Sequence, residues 1–339
     1  MTVSMNPADH PSFQAVLKSV RGKVQTYLDK SDEVIADVAR SAPRGVSERM
    51  TKLIERKGKK IRSTILALIA TSGEELPDAS RVAHACAGVE LLHLASLVHD
   101  DIIDGTTVRR GQRTAHVEWG NKIAVLIGDY ILSQAMRCVI HEREREIPLL
   151  LSSAANRLIV GEIRELDSAG NFDLSLEDYN AIIAGKTAAL VEASAKMGAF
   201  IAGFDKERIE KCGELGAHFG LAFQIIDDLL DYGVGASDLD KAKFTDMSNG
   251  LVTLPLIYYF RSVPAQERES LRTLLKNSAE PGNPEEICRR LQNAGAFDKA
   301  KETALGHISA AMEISDSLPA TELIESLKTF LFSMAERGN

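Results

Sequence analysis

Two stretches of the chain are apolar almost all the way round a helical wheel: "RVAHACAGVELLHLASLVHDDIID", residues 81–104, and "CGELGAHFGLAFQIIDDLLD", residues 212–231. A helix without a polar stripe has no face to offer water, so both are expected as helices enclosed by others. Elsewhere apolar residues recur at helical spacing between short loops rich in Gly, Pro, Asn and Asp, among them "SGEELPDAS", "SAGNFDLS" and "DSLP". Ser175 and Asp178 form an S-x-x-D capping box and predict a helix starting just after it. "LVTLPLIYYF", residues 251–260, has the β-branched and aromatic content of a strand, but no second strand is available to pair with it, so a helix is expected. No loop is long enough for a domain linker, and the longest irregular piece, residues 232–250, is polar enough to form a flap over a site. The expectation is an all-α fold, one large helical bundle over residues 1–339 with roughly the first 15 residues mobile.

Composition agrees with packed helices. The 339 residues are 45% apolar but only 5% aromatic, which disfavours a sandwich or barrel. A formal charge of -8 argues against a general nucleic-acid binder, whose phosphate contacts need a basic surface. Cys86, Cys138, Cys212 and Cys288 are far apart with no zinc-ligand spacing, which suits free thiols in a reducing, cytoplasmic setting. The N-terminal residues lack the apolar core of a signal peptide, and no run reaches the roughly 18 apolar residues of a membrane span.

The candidate chemistry sits at the ends of the two apolar helices. Asp100 and Asp104 are one helical turn apart and share a face, and Asp227 and Asp231 repeat the spacing. Each helix therefore presents a pair of carboxylates beside buried surface and at the negative end of its macrodipole, where something cationic must compensate. One D-D-x-x-D alone fits a solvated helix end equally well, but two of them on two buried helices, one followed at once by Arg109 and Arg110, do not. Carboxylate pairs without His or Cys suit a hard ion such as Mg²⁺, which fills its remaining positions with water and substrate phosphate; a phosphate ester is the implied ligand. "ERKGKKIRS" adds Lys59 and Arg62 at a predicted helix start, where both can reach one anion with the terminal N–H groups assisting. It is not a Walker loop. "DGT" is no phosphatase signature either, because Ile102 stands where the nucleophile is needed.

With these residues in place the chain resembles the trans-polyprenyl diphosphate synthases, the head-to-tail isoprenoid elongation enzymes. The resemblance runs from roughly Lys57 to Tyr259. It rests on "GKKIRS", "ELLHLASLVHDDIIDGTTVRRG", "TAHVEWGNKIAVLIGDYIL", "GNFDLSLEDYNAIIAGKTAALVEA", "FGLAFQIIDDLLDY" and "NGLVTLPLI", in the family's order. It implies an all-helical bundle around a deep cavity, a homodimer, and Mg²⁺. By position it implies that Asp100, Asp104 and Asp227 bind the metal, that Asp231 contributes through water, and that Asp101 and Asp228 support them. Lys59, Arg62, His93 and Arg110 match the isopentenyl diphosphate site; Arg109, Lys186, Thr187, Gln224 and Lys241 match the allylic site. Taken alone, His93 reads as a core histidine and Lys186 as a snorkelling lysine.

The chemistry of such a condensation suits the residues. Breaking an allylic C–O bond leaves a cation and a diphosphate, whose charge fixed cations stabilise, and a dry cavity keeps water from the cation. No protein nucleophile is needed. Ala95 and Ser96, four to five residues before Asp100, are small where bulky aromatics stop elongation in this family, which implies a long product. Met136, where relatives often place Phe, is a candidate for the cavity floor or a plain core methionine. The chain departs from the family at Asp240 and Leu251 in the flap, at Arg113 in "RRGQRT", and at Ser63, where Pro usually follows "IR". The competing readings are a shorter-chain synthase, a non-catalytic partner subunit, and a terpene cyclase or head-to-head synthase on the same bundle.

Overall fold

A computed structural model of the chain describes residues 12–56, 58–234, 244–278, 280 and 282–337. Lys241, Asp240 and the middle of the proposed flap, residues 235–243, lie outside the described residues, as do the first 11 positions. Seventeen α-helices follow in order: α1 (Phe13–Lys23), α2 (Gln25–Ser41), α3 (Arg44–Ile54), α4 (Ile61–Ala70), α5 (Ala79–Ile103), α6 (Ala115–Trp119), α7 (Asn121–Val139), α8 (Glu146–Ser168), α9 (Leu176–Ile183), α10 (Ala189–Ile201), α11 (Lys206–Asp231), α12 (Thr245–Ser248), α13 (Leu254–Ser262), α14 (Ala265–Lys276), α15 (Asn283–Asn293), α16 (Ala296–Asp316) and α17 (Glu322–Arg337). The strands among the described residues are a two-residue hairpin, β1 (Val108–Arg109) and β2 (Gln112–Arg113), which the sequence pattern did not predict.

The two fully apolar segments are α5 and α11. Asp78 caps α5, accepting from Ser80 N at 2.9 Å, and Asp205 caps α11, accepting from Arg208 N at 2.9 Å. α5 packs on α2, α4 and α7, and α11 on α10 and α16, which explains why neither keeps a polar stripe. α5 is long and apolar enough to cross a membrane, a length the sequence reading did not grant it, but 61% of its most apolar stretch is enclosed by neighbouring helices. α10 links the two halves by packing on α4, α8 and α11, and the apolar core runs without a break from Phe13 to Met334.

Two expected elements are in place. Ser175 Oγ accepts from Asp178 N at 3.0 Å and donates back to the Asp178 carboxylate at 2.7 Å, which starts α9. Residues 254–262 are helical as α13, with Pro255 in the first turn, where its missing N–H costs nothing. Between α9 and α10 the chain does something its periodicity does not announce: Ala184–Ala188 is a π-helical turn. Such turns insert an extra residue and redirect the side chains that follow, often at functional sites. This one carries Lys186 and Thr187. It rests on a glycine contact, since a Cβ on Gly161 of α8 would come within 2.4 Å of Lys186 N, and one on Gly185 within 2.7 Å of Arg157 O. Only the missing side chains let the two backbones meet.

Candidate active site

α5 and α11 both end in acids, and the structure treats the three aspartates of each end differently. At the end of α5, Asp101 is only 4% exposed and accepts from Arg109 Nε at 2.6 Å. Burial raises the Asp101 carboxyl, and the Arg109 bond and charge work against that rise. Arg109 reaches it because Arg110 (φ 52°) and Gly111 (φ 75°) make a tight two-residue turn between β1 and β2. Arg113, in the family's Pro position, lies in β2 opposite Val108, and its carbonyl accepts from Arg56 Nη2 at 2.8 Å. Asp104 caps α5 and is exposed; Asp100 is partly buried.

At the end of α11 the middle aspartate, Asp228, is 3% exposed and accepts from Tyr179 OH and from Gln224 Nε2, each at 2.7 Å. Gln224 in turn accepts from Thr187 Oγ1 at 2.5 Å. Thr187 and Gln224 thus hold each other and Asp228, a positioning chain rather than two open ligand donors. Asp231 accepts from Thr245 N at 3.1 Å and Asp246 N at 3.2 Å, so its carboxylate sits on the first amides of α12. Burial raises both Asp228 and Asp246, and for Asp246 the nearby Asp228 and Asp231 raise it further. Asp227 is partly buried on the same end.

Lys186 lies between the two ends. Its Nζ pairs with Glu165 and, at 3.0 Å, with Glu162, which is only 6% exposed. Burial alone would lower the Lys186 ammonium; Glu165 and Glu162 more than reverse this and raise it. Asp100 is pushed up to about 7 by burial and by Glu162, against the pull of Lys186. Glu165 is raised by burial, Glu162 and Asp104, while Asp228 and Asp246 are in turn raised by Glu165. Asp104 at the end of α5 and Asp228 at the end of α11 are therefore both coupled to Glu165, the α8 carboxylate that pairs with Lys186. An ammonium has three N–H donors, and this one gives two directions to Glu162 and Glu165.

The basic residues gather on another face of α5. His93 is driven well below its ordinary value by burial and then by Arg62, Arg110 and Arg109, so its imidazole is neutral amid three guanidinium groups. A cavity of about 360 Å³ opens here, lined by His93, Glu90, Arg110, Lys60 and Gly58 together with the apolar Ile35, Leu53, Ile54, Leu91, Leu94 and Leu97. Arg110 Nη1 donates to Arg56 O at 3.1 Å. Lys60, in a left-handed conformation (φ 55°) before α4, lines the cavity and pairs with Asp32; Lys59 is not part of that lining and stands 5.9 Å over the Phe13 ring. The free helix-terminal amides expected beside Arg62 are not all free, because Ser63 N donates to Glu90 Oε1 at 3.3 Å.

The length-setting candidates separate. By helical twist Ser96 lies about 40° round α5 from Asp100, and Ala95 about 140° round. Ala95, 2% exposed, falls on the stripe of Gly88 and His99, both of which touch α7. Met136 is partly buried on α7 against the core. Sequence reasoning missed Glu90, Glu162, Glu165, Tyr179 and Asp246. The repeat of acids in "GEIRE" was the only local signal for any of them.

Among the described residues no three His, Cys, Asp or Glu side chains form a ready-made metal cage. The donor set is instead a scatter of carboxylate pairs, which suits an oxygen-seeking ion that takes its other ligands from water and phosphate. Residues 43–291 match the family model described as polyprenyl synthetase. The chain is 30% identical over 287 residues to the octaprenyl diphosphate synthase of Haemophilus influenzae, an alignment covering 84% of this chain and 86% of the relative. Among solved structures it superimposes on a decaprenyl diphosphate synthase from Rhodobacter capsulatus with a TM-score of 0.89 at 27% identity, covering 95% and 99% of the two chains. A polyprenyl synthase from Caulobacter crescentus, complexed with calcium and isoprenyl diphosphate, gives 0.86 at 26% identity, covering 95% and 98%. Family model, relative and fold agree with the paired acids at the ends of α5 and α11: the chain belongs to the polyprenyl synthetase family of prenyltransferases, with the all-α isoprenoid synthase fold.

Proposed function

We propose that the chain joins isopentenyl diphosphate head-to-tail to an allylic diphosphate with the help of Mg²⁺, giving a long trans-polyprenyl diphosphate of the octaprenyl to decaprenyl class. The observation that carries this reading is the electrostatic meeting of the two acidic ends at Glu165, which pairs with Lys186. By family position Asp100, Asp104 and Asp227 hold Mg²⁺, and Asp231, whose carboxylate accepts from two amides of α12, contributes through water. When bound, the metal supplies a counter-charge for the diphosphate as it leaves. Lys186, with a donor direction to spare, and Arg109, whose Nε alone is taken by Asp101, direct N–H groups at the same diphosphate. Lys241 joins them by family position. Arg62, His93, Arg110 and the Lys59 and Lys60 pair hold isopentenyl diphosphate, and the neutral imidazole of His93 donates without adding charge. By family position the small Ala95 and Ser96 leave room for elongation, Ser96 on the Asp100 side of α5 and Ala95 on the side packed against α7, and Met136 on α7 is a candidate for the floor of that space.

The chain acts as a single domain and as a cytoplasmic homodimer. Support for the dimer is the exposed apolar surface of α7 and α8, where Ile123, Leu126, Ile159, Val160, Ile163 and Leu166 face outward. A second copy of the same face would cover it. Purified protein incubated with Mg²⁺, isopentenyl diphosphate and an allylic primer tests the whole reading. Diphosphate release that requires isopentenyl diphosphate and is abolished by EDTA is expected. Release without it would point to a cyclase, and inactivity of the lone chain to a partner subunit. Chromatographic sizing of the product, in parent and in Ala95→Phe and Ser96→Phe, tests length: both variants shorten it, and unchanged length overturns the assignment.

A further inference from the structure

The departure from the family at Ser63 creates a contact that proline could not make. Ser63 is the third residue of α4 and is fully buried. Its N–H, at 3.3 Å, and its hydroxyl, at 2.6 Å, both donate to one oxygen, Glu90 Oε1. Proline has neither donor. Glu90 lies on α5 one turn before His93 and lines the same cavity as His93, Lys60 and Arg110. Arg62 adjoins Ser63 in the chain. Its Nε is enclosed without a hydrogen-bond partner, burial lowers its guanidinium, and Glu90 is the charge that acts against that lowering. Glu90 and Arg62 therefore feel each other, yet no ion pair joins them within 4.0 Å among the described residues. A carboxylate bonded to the residue beside a buried arginine can ordinarily close with that guanidinium into a charge-assisted, two-pronged pair. Two donors at the positive end of α4 hold this one back.

We propose that Ser63 is a positioning residue that keeps Glu90 off Arg62, whose guanidinium stands behind the cavity lining and acts on His93, so that it stays available to a diphosphate held against His93. This rests on the reading of that cavity as the isopentenyl diphosphate site. The diphosphate of that substrate is a handle and does not leave in the reaction, so a weaker grip shows in KM with kcat nearly unchanged. In Ser63→Ala the hydroxyl bond is lost and Glu90 swings to Arg62.

Steady-state kinetics with isopentenyl diphosphate and the allylic primer varied separately provides the test. Ser63→Ala raises KM for isopentenyl diphosphate about fivefold, the worth of one hydrogen bond, and Ser63→Thr, which keeps the hydroxyl, restores it. KM for the allylic primer and kcat stay within about twofold. Glu90→Gln has no charge to close on Arg62, so alone it leaves KM for isopentenyl diphosphate at or below that of the parent, and in that background Ser63→Ala has no further effect. Equal rises in both KM values, or an undiminished Ser63→Ala effect on top of Glu90→Gln, overturn the proposal. So does a raised KM in Glu90→Gln alone, a result that does not depend on Ser63→Ala folding. Arg62→Gln separates the two levels. If it leaves KM for isopentenyl diphosphate unchanged, the site reading fails; if it raises KM while Ser63→Ala does not, only the role of Ser63 fails.

Discussion

The ends of α5 and α11 carry the same D-D-x-x-D, yet the two triplets are wired in opposite ways. In each the middle aspartate is buried, but Asp101 is held by a cation, Arg109, and Asp228 by neutral donors, Tyr179 and Gln224. In each the last aspartate ends the helix, but Asp104 stands exposed while Asp231 accepts two amides of α12. At the α5 end the last acid thus stays in solvent, while at the α11 end it is drawn onto the start of a neighbouring helix. The lesson is that a motif gives the count of acids, and its neighbours decide how many of them remain available.

The sharpest way to break this comparison is to neutralise the available acids one at a time. Asp100→Asn and Asp227→Asn should each cut kcat by about 10³-fold, the scale of losing a main electrostatic contact to the leaving group, measured by product formation at saturating substrates. A loss confined to one of them would mean that the two ends do not serve one site. Next comes the bridge between them. Gly161→Ala places a Cβ within 2.4 Å of Lys186 N. It should shift the π turn and lower kcat by about 10²-fold, as a misplacement of about 1 Å does, and full activity would show that Lys186 need not sit there.

Asp231 and Asp104 then separate by readout. Asp231→Asn should lower kcat by about tenfold, in line with removing one charge-assisted contact, and hydrogen exchange at the Thr245 and Asp246 amides should speed up. Asp104→Asn should leave that exchange unchanged, and identical exchange in both variants would erase the distinction. The smallest effect is on stability. Tyr179→Phe leaves Asp228 with one fewer donor and should cost about 1–3 kcal/mol in urea unfolding. A neutral result would mean that water or Gln224 replaces the phenol.

Much of this was legible in the chain. Residues 81–104 and 212–231 read as enclosed helices because burial on every side leaves no polar stripe, and α5 and α11 are such helices. Ser175 marked the start of α9, and residues 251–260 were expected as helix, which the structure forms over Leu254–Ser262. The π turn was not legible, because its cause is the approach of Gly161 to Gly185 across two helices. Glu162 and Glu165 could not be told from solvated acids such as Glu146 on the same helix until Lys186 met them. Ser63 was visible as a departure but not as a donor, since Glu90 lies 27 residues away. Thr187 and Gln224, assigned to a substrate by resemblance, hold each other across 37 residues.

By itself the sequence determined which segments would be enclosed helices and which carboxylates would share a face, because helical twist and apolar periodicity depend only on residues a few positions apart. The tertiary structure alone decided which charges are committed and which remain open. Tyr179 reaches Asp228 from 49 positions away and Glu165 reaches Lys186 from 21, and the ionisation of a buried carboxylate follows from such neighbours rather than from its own place in the chain.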